Sequence, residues 1–500
     1  MSLQLVKSLL QLNPTLGGRV TWDGWVNEQE LRAVKVHKYR DYADGDHESK
    51  LTAEMAELLR VKYSEETSSP FNLNHLDTIL SALVDRLYLT SVETDSDAGN
   101  EWTQTLFDEN RIDAVQLSVH ESACRDADTY LLCEYDPVED RVKWTQEDAY
   151  DGVQGIVAVY GADRNQPVVV FKIWPERIAD QALSGEERSG LIDTVRINAY
   201  YADRIEKYIS RGSLRLERYE VDGEEWPAPW VGRDGKPLGV PVVHFRNRAT
   251  KYTAYGKSEL DDVIPAQDAL NRTMTSMVMS AELSAFQVRY AIGIDPPAKL
   301  SPGAWIKAHP PKDSSGNIKQ PTAEQLEHLK SIRFGTLEVG QIAPFIQEAE
   351  FLIAQMYEIS RTPRGGDAGA NASGEALRER MSGLVGKAKR AQISFGDSWE
   401  RAVKVSAAIQ AAYGKTQPPA IAKFYARWTT AELRNDAEVV DNILKIADRL
   451  DERTTLELLA PVYGFDTEKI SSILQSRQGD AAARVATLAA NLPGFGNNGL

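Results

Sequence analysis

Apolar side chains recur three or four residues apart over several long stretches of the chain, the spacing of one face of an α-helix. The longest run extends from Gly374 to Tyr413 and carries Leu377, Met381, Leu384, Ala388, Ala391, Phe395, Trp399, Ala402, Val405 and Ile409. It predicts about 60 Å of helix at ~1.5 Å per residue. Gly383, Gly386 and Gly396 each cost ~1 kcal/mol relative to alanine there, so a kink or a close helix–helix contact is expected near them. A second run lies between Tyr255 and Arg289, with Leu260, Ile264, Leu270, Met274, Met277, Val278, Ala281 and Ala285 on one face and Asp261, Asp268, Arg272 and Glu282 on the other. It predicts a helix from Glu259 to Ala285, on the order of 40 Å long. Ser258 is placed to cap its first turn and Asp261 suits the positive end. Pro265 means that the helix either kinks there or begins its regular part there.

Earlier in the chain, Asn27 and Glu30 resemble a capping box and start a helix stopped by Gly45. Residues 72–87 form a second amphipathic helix, with two more between Glu101 and Asp126. From Thr129 to Arg246 the period changes to short β-rich runs, TYLLCEY, GIVAVYG, PVVVFKIW, TVRINAYY, RIEKYIS, LRLERYEV and VPVVHF, separated by turns such as Asp222-Gly223 and Asp234-Gly235. The aromatics of this region, Trp174, Tyr200, Tyr201, Tyr208 and Tyr219, read as packing groups, because acidic residues are interleaved among them.

After the second long helix, Phe286 to Ile294 alternates like a strand, and a Pro/Gly-rich segment leads to helical pattern near Thr322 and again from Ile342 to Arg361. Such a segment between two long helices implies a small inserted domain at their far end. TPRGGDAGANAS, residues 362–373, is a small-residue loop that leads into the longest helix. Residues Ala420 to Trp428 look like a strand, Thr430 to Arg477 like two or three short helices with Gly464 ending the middle one, and LPGFGNNGL like a disordered tail. The fold class expected is α+β.

The chain has 500 residues, enough for two to four structural units, and a formal net charge of −16. That balance argues against a protein that grips nucleic acid, since binding by counterion release needs clustered Lys and Arg. Passage of nucleic acid without adhesion is compatible with it. No run approaches the ~18 apolar residues of a membrane span, and MSLQLVKSLLQLNP lacks a signal peptide's charged head and cleavage site, so a soluble intracellular protein without membrane contact is expected. Two cysteines, Cys124 and Cys133, are too few for a disulfide framework or a cysteine metal site.

Enzyme signatures are incomplete. Gly256-Lys257-Ser258 matches the end of a phosphate-binding loop, but Lys251 stands where the first glycine is required. His120-Glu121 lacks the second histidine of a zinc-protease helix, and Asp261-Asp262 are adjacent acids that point apart on a helix. No cofactor, metal or catalytic residue is expected. A nuclease or ATPase and a non-catalytic structural protein are the classes left to weigh.

Six phrases, YADGDH (42–47), FNLNHLDTILSALVDRL (71–87), DADTYLLCEYD (126–136), YGKSELDDVIPAQDALN (255–271), NASGEALRER (371–380) and AEVVDNILKIADRLDERTTLELL (437–459), occur in an order that resembles the portal proteins of tailed double-stranded-DNA bacteriophages. The resemblance implies an α/β wing (1–254), a stem helix (255–283), a small α/β clip (284–334), a second stem helix (335–361), a tunnel loop (362–372), a long kinked helix returning to the wing (373–429), a helical crown (430–478) and a flexible tail (479–500). It also implies a ring of twelve subunits at one capsid vertex, a head–tail connector through which double-stranded DNA is packaged and ejected. Implied partners are further copies of the chain, the terminase large subunit, a head–tail adaptor and the major capsid or scaffolding protein, in the virion and, during assembly, the host cytoplasm. The DNA-facing loop would comprise Thr362, Pro363, Arg364, Gly365, Gly366, Asp367, Ala368, Gly369, Ala370 and Asn371. Arg361 and Arg364 at its edge would touch phosphate or pair with acidic residues of a neighbouring subunit.

Overall fold

The computed structural model describes residues 2–11, 22–47, 73–161, 163–179, 191–211, 215–285, 289–292, 322–336, 342–364, 374–432, 443, 445–463 and 469–476. The chain divides into two compact units, Met1–Thr429 and Thr430–Leu500.

The first unit starts with two helices, α1 (Ser2–Gln11) and α2 (Trp22–Asp44). Sequence patterning missed α1 and started α2 five residues late, inside the helix, though Gly45 does end it in a left-handed conformation. Helix α3 (Leu76–Val84) buries Leu76, Ile79, Leu80, Leu83 and Val84, the apolar face expected of it. Strand β1 (Leu89–Thr94) follows, then α4 (Asp97–Glu109), capped by Ser96 Oγ accepting from the Gly99 amide, and α5 (Ile112–Asp126).

Nine strands come next, β2 (Asp128–Asp136), β3 (Arg141–Asp148), β4 (Gly155–Tyr160), β5 (Pro167–Ala179), β6 (Leu191–Tyr200), β7 (Arg204–Ser210), β8 (Glu217–Arg218), β9 (Ala228–Pro229) and β10 (Val242–Arg246). They make a three-stranded sheet, β10-β2-β3, and a six-stranded one ordered β4-β5-β6-β7-β8, with β9 also on β7, all pairings antiparallel. Both faces of the β4–β5 part of the larger sheet are covered, which is why GIVAVY and PVVVF read as nearly continuous apolar runs. Val157, Val159, Val169, Phe171 and Ile173 face α1 and the Trp25–Ala33 side of α2. Their alternate neighbours Ile156, Ala158 and Val170 pack with Val36, Tyr130 and Val242. Tyr200 and Tyr201 are buried, while Tyr219 lies 3.3 Å under the Arg196 guanidinium and Trp174 5.5 Å from it, so these rings are engaged within the sheet region.

Helix α6 (Ile264–Ala285) starts at Ile264, so Pro265 sits in its first turn instead of kinking it. At 22 residues it is about 33 Å long, shorter than the sequence suggested. Residues 259–263 are turns instead, and Ser258 Oγ accepts from the Leu260 amide at 3.0 Å within them. Of the clip residues 284–334, most lie outside the described residues. The described parts are β11 (Arg289–Ile292), α7 (Ala323–Ser331) and β12 (Arg333–Thr336), which pairs antiparallel with β11. Helix α8 (Ala343–Ser360) packs against α6.

Helix α9 (Gly374–Tyr413) runs as one α-helix of 40 residues. It buries Leu384, Ala388, Ala391, Phe395, Trp399, Ala402 and Ile409 against β2, β3, β10 and β13 (Phe424–Trp428), the last of which pairs antiparallel with β1. Gly396 does mark a close contact, but with a strand: a Cβ there would lie 3.3 Å from both Ala426 Cβ and Trp428 Nε1. Serines bind α9 to β10, with Ser394 and Ser398 donating to the carbonyls of Arg246 and His244.

The second unit contains a 3-10 turn, Ala447–Arg449, helix α10 (Glu452–Tyr463) and a helical segment at 469–476. Asp451 starts α10, its carboxylate accepting from the Thr454 amide at 3.0 Å. Gly464 and the tail 479–500 lie outside the described residues.

Candidate functional site

Glycine is required at 256 because a Cβ would lie 2.2 Å from the Ala127 carbonyl oxygen and 2.5 Å from that of Asn247. Around it, residues 255–259 join five elements. The Tyr255 hydroxyl donates to Ala158 O at 2.8 Å and accepts from Gln29 of α2 at 3.0 Å, while the Arg32 guanidinium lies 3.3 Å over its ring. Burial pushes the Tyr255 phenol up to about 12. The Gly256 amide donates to buried Asp128, which also accepts from Arg32 at 2.6 Å and His244 Nε2 at 2.8 Å. Burial alone would raise the Asp128 carboxyl, but Arg32, His244 and the Gly256 amide outweigh it and hold the group below the usual carboxylate range. Burial lowers His244, which donates to Asp128 as a neutral ring.

The amides of Gly256, Lys257 and Glu259 are satisfied by Asp128, Asn247 O and Cys124 O, so this Gly-Lys-Ser has no free nest for a phosphate. Asp262 pairs with Lys257 and Arg248, and Asp261 accepts from the Tyr39 hydroxyl, so both acids are structural. Glu259 is buried and accepts from Asn247 at 2.9 Å. Its other oxygen meets Lys387 of α9, whose ammonium also donates to Ser360 O at the end of α8, 3.1 Å away. One lysine therefore joins the segment leading into α6, the end of α8 and the middle of α9.

Immediately beyond Ser360 stand the predicted phosphate contacts. Arg361 ends α8 in the left-handed region (φ 58, ψ 27), and the Thr362 amide reaches back to Tyr357 O at 2.9 Å, a six-to-one helix closure usually made with glycine. Two recesses share Arg361 as a wall. One, about 400 Å³, lies among Arg248, Glu259, Asp262, Lys387, Arg390 and their neighbours. The other, about 290 Å³, is lined by Ala354, Tyr357, Glu358, Arg361, Thr362, Arg364, Arg380 and Gly383. Among the described residues, Arg361, Arg364 and Arg380 have no ion pair, and the buried Thr362 hydroxyl has no hydrogen-bond partner. Three cations beside one glutamate make this recess suited to an oxyanion.

Pro363 is half-buried. Gly365, Gly366, Asp367, Ala368, Gly369, Ala370 and Asn371 lie outside the described residues. Arg361 and Arg364 line the same recess. Sequence reading missed Arg380 and Lys387, which α9 brings to the end of α8. The phrase NASGEALRER contains Arg380, but only the approach of the end of α8 to α9, where Gly383 stands beside Arg361, assigns it a place. Among the described residues no cluster of three His, Cys, Asp or Glu could hold a metal ion. No helix among them is long and apolar enough to cross a membrane.

The family model described as "Phage portal protein, SPP1 Gp6-like" matches residues 62–482. The chain belongs to this portal family. It is similar to the portal protein of Mycobacterium phage L5, 26% identical over 238 residues, which is 46% of this chain and 46% of that protein. The portal protein of Mycobacterium phage D29 is 27% identical over 241 residues, again 46% of each chain. The matched region therefore spans about half the length of these curated portal relatives. Among solved structures, the neck of a native GTA particle computed with C12 symmetry aligns with 82% of this chain and 94% of that chain at 12% identity and a TM-score of 0.40.

Proposed function

We propose that the chain is a head–tail connector, forming a ring of twelve copies at one capsid vertex through which double-stranded DNA is packaged and later ejected. The observation that carries this reading is the portal-family match over residues 62–482. In it, the wing is residues 1–254, the stem is residues 255–283 and 335–361, which hold most of α6 and all of α8, the clip between them is 284–334, and residues 362–372 are the tunnel loop at the head of α9. The crown is 430–478 and the tail 479–500. The terminase large subunit and the head–tail adaptor dock on the ring in turn, and the major capsid or scaffolding protein surrounds it. The ring's role is that of a conduit in the virion and not of an enzyme.

Charge supports it. Twelve copies at −16 carry roughly −190 formal charges, and a channel lined mainly by acidic or neutral groups repels phosphate and lets a duplex slide. Arg361 and Arg364, at the edge of the loop, are the proposed phosphate contacts, with pairing to acidic residues of a neighbouring subunit as the alternative.

Negative-stain electron microscopy with mass by light scattering tests the reading. Rings of about twelve subunits with an axial hole wide enough for duplex DNA are expected. A monomer or dimer under all conditions would overturn it, and ATP hydrolysis or nuclease activity by the isolated chain would favour an enzyme instead.

A further inference from the structure

Helix α8 is apolar yet poorly covered. Of its eighteen residues only Ala349, Met356 and Ser360 are buried, while Phe351 is 61% exposed and Ile346 and Ile359 are each 47% exposed. Buried positions 349, 356 and 360 define one face, and Gln347, Phe351, Ala354 and Glu358 recur at i, i+4, i+7 and i+11 on the opposite one. Phe351 is thus one turn before Ala354, where the wall of the arginine recess begins. An exposed phenyl one turn from a recess lined by unpaired guanidiniums brings together two side-chain types enriched at protein interfaces, aromatic rings and arginine. The recess also holds a buried hydroxyl with no partner among the described residues, a group that costs free energy until something binds it.

We infer that the outward face of α8, Phe351 with the recess of Arg361, Arg364 and Arg380, is an interface for a second copy of this chain, which places a carboxylate in the recess. The inference rests on the ring reading above and adds the residues that close it. Charge complementarity favours a second copy as occupant: the chain carries 73 acidic against 57 basic side chains, so its surface supplies carboxylates in excess. A phosphate of moving DNA is the poorer fit. A recess with three unpaired guanidiniums would retain each phosphate that entered, whereas a neighbour's carboxylate is stationary and is present once per subunit. The conformation of Arg361 fits the same idea. A left-handed arginine is disfavoured where glycine is at ease, so the position keeps a side chain at a backbone cost.

That cost makes the test clean. Arg361→Gly relieves the backbone and should leave the melting temperature of the monomer equal or higher, yet raise the concentration for half-assembly by roughly tenfold or more. Arg364→Glu and Phe351→Ser should weaken assembly likewise, while Arg177→Glu, at an exposed pair with Asp193 on β5 and β6, should not. Assembly is read by light scattering over a dilution series, alongside circular dichroism of the dissociated chain. Rings of unchanged affinity in all three α8-side variants would overturn the inference while leaving the ring reading intact. Unchanged rings that lose packaged DNA would overturn it in favour of a phosphate site. Failure of the unaltered chain to form rings at any concentration would overturn both.

Discussion

His120 shows how a single side chain can be fixed entirely by what surrounds it. It is fully buried, with Nδ1 donating to Leu87 O at 2.8 Å and Nε2 accepting from the Trp399 indole at 3.0 Å, and its ring stacks on Phe395. Both nitrogens are used by a neutral ring, and burial lowers its pKa from 6.5 to about 3. Between those values the unfolded chain binds a proton that the folded chain does not, so stability must rise with pH across that window. The contribution is fully present above about 6.5 and is lost as pH falls toward about 3, at up to ~1.4 kcal/mol per pH unit. Replacing His120 with Gln should flatten the melting temperature against pH between 6.5 and 4, and an unchanged slope would sink the assignment. Lys387 is the second residue of this kind. Lys387→Met leaves Glu259 buried without its cation and should cost ~3–5 kcal/mol, of which Glu259→Gln in the same chain should restore a large part. Denaturant titration of the four chains measures the coupling, and additive effects would mean that the pair is not one. The cysteines are simpler: Cys124 and Cys133 are free and buried, with burial pushing the Cys133 thiol up to about 12.

Elements carry their own predictions, and α9 offers an internal control. Gly386 has nothing within 4 Å of where a Cβ would stand, whereas at Gly396 Ala426 and Trp428 are 3.3 Å away. Gly386→Ala should therefore stabilise by up to ~1 kcal/mol, the helix-propensity gain. Gly396→Ala should gain less, because β13 must yield by a few tenths of an ångström, and Gly396→Val should destabilise. Equal effects of the two alanines in thermal melts would show that β13 does not confine the helix. The same contrast explains what the sequence could and could not show. Helices α6, α8 and α9 were legible because a 3.6-residue period persists through each of them. Strand β1 was not, since LTSVET follows a helical run and is stabilised by pairing with β13, more than three hundred residues on. Strand β3, RVKWTQED, was missed because its polar residues conceal an alternation that only β2 beside it makes clear. Arg361 and Arg364 could be found from their place beside a glycine-rich loop. Arg380, Lys387 and the unpartnered Thr362 hydroxyl could not, because the recesses form only where the end of α8 meets α9.

For the whole molecule, the question is how an acidic ring can surround a polyanion and still sense it. A uniformly acidic channel would let DNA slide in either direction without friction, and retention of a packaged genome then needs elements that touch it. In the proposed architecture those elements are the loops at 362–372, whose small residues offer little bulk and little charge beyond Arg364 and Asp367. Each loop leaves α8 at Arg361, and the end of α8 is tied through Lys387 to the buried Glu259. The loop therefore starts from a fixed point, and shortening it changes its reach while that anchor stays in place. Deleting Gly365 to Gly369 should leave ring mass and the melting temperature unchanged and lower the DNase-protected DNA per particle in a packaging assay. If the deletion packages and retains DNA normally, the loop is outside the mechanism and the guanidiniums beside it are left with their role between subunits. If the deletion dissociates the ring, the segment belongs to the interface, and Arg364→Glu should then dissociate it in the same concentration range.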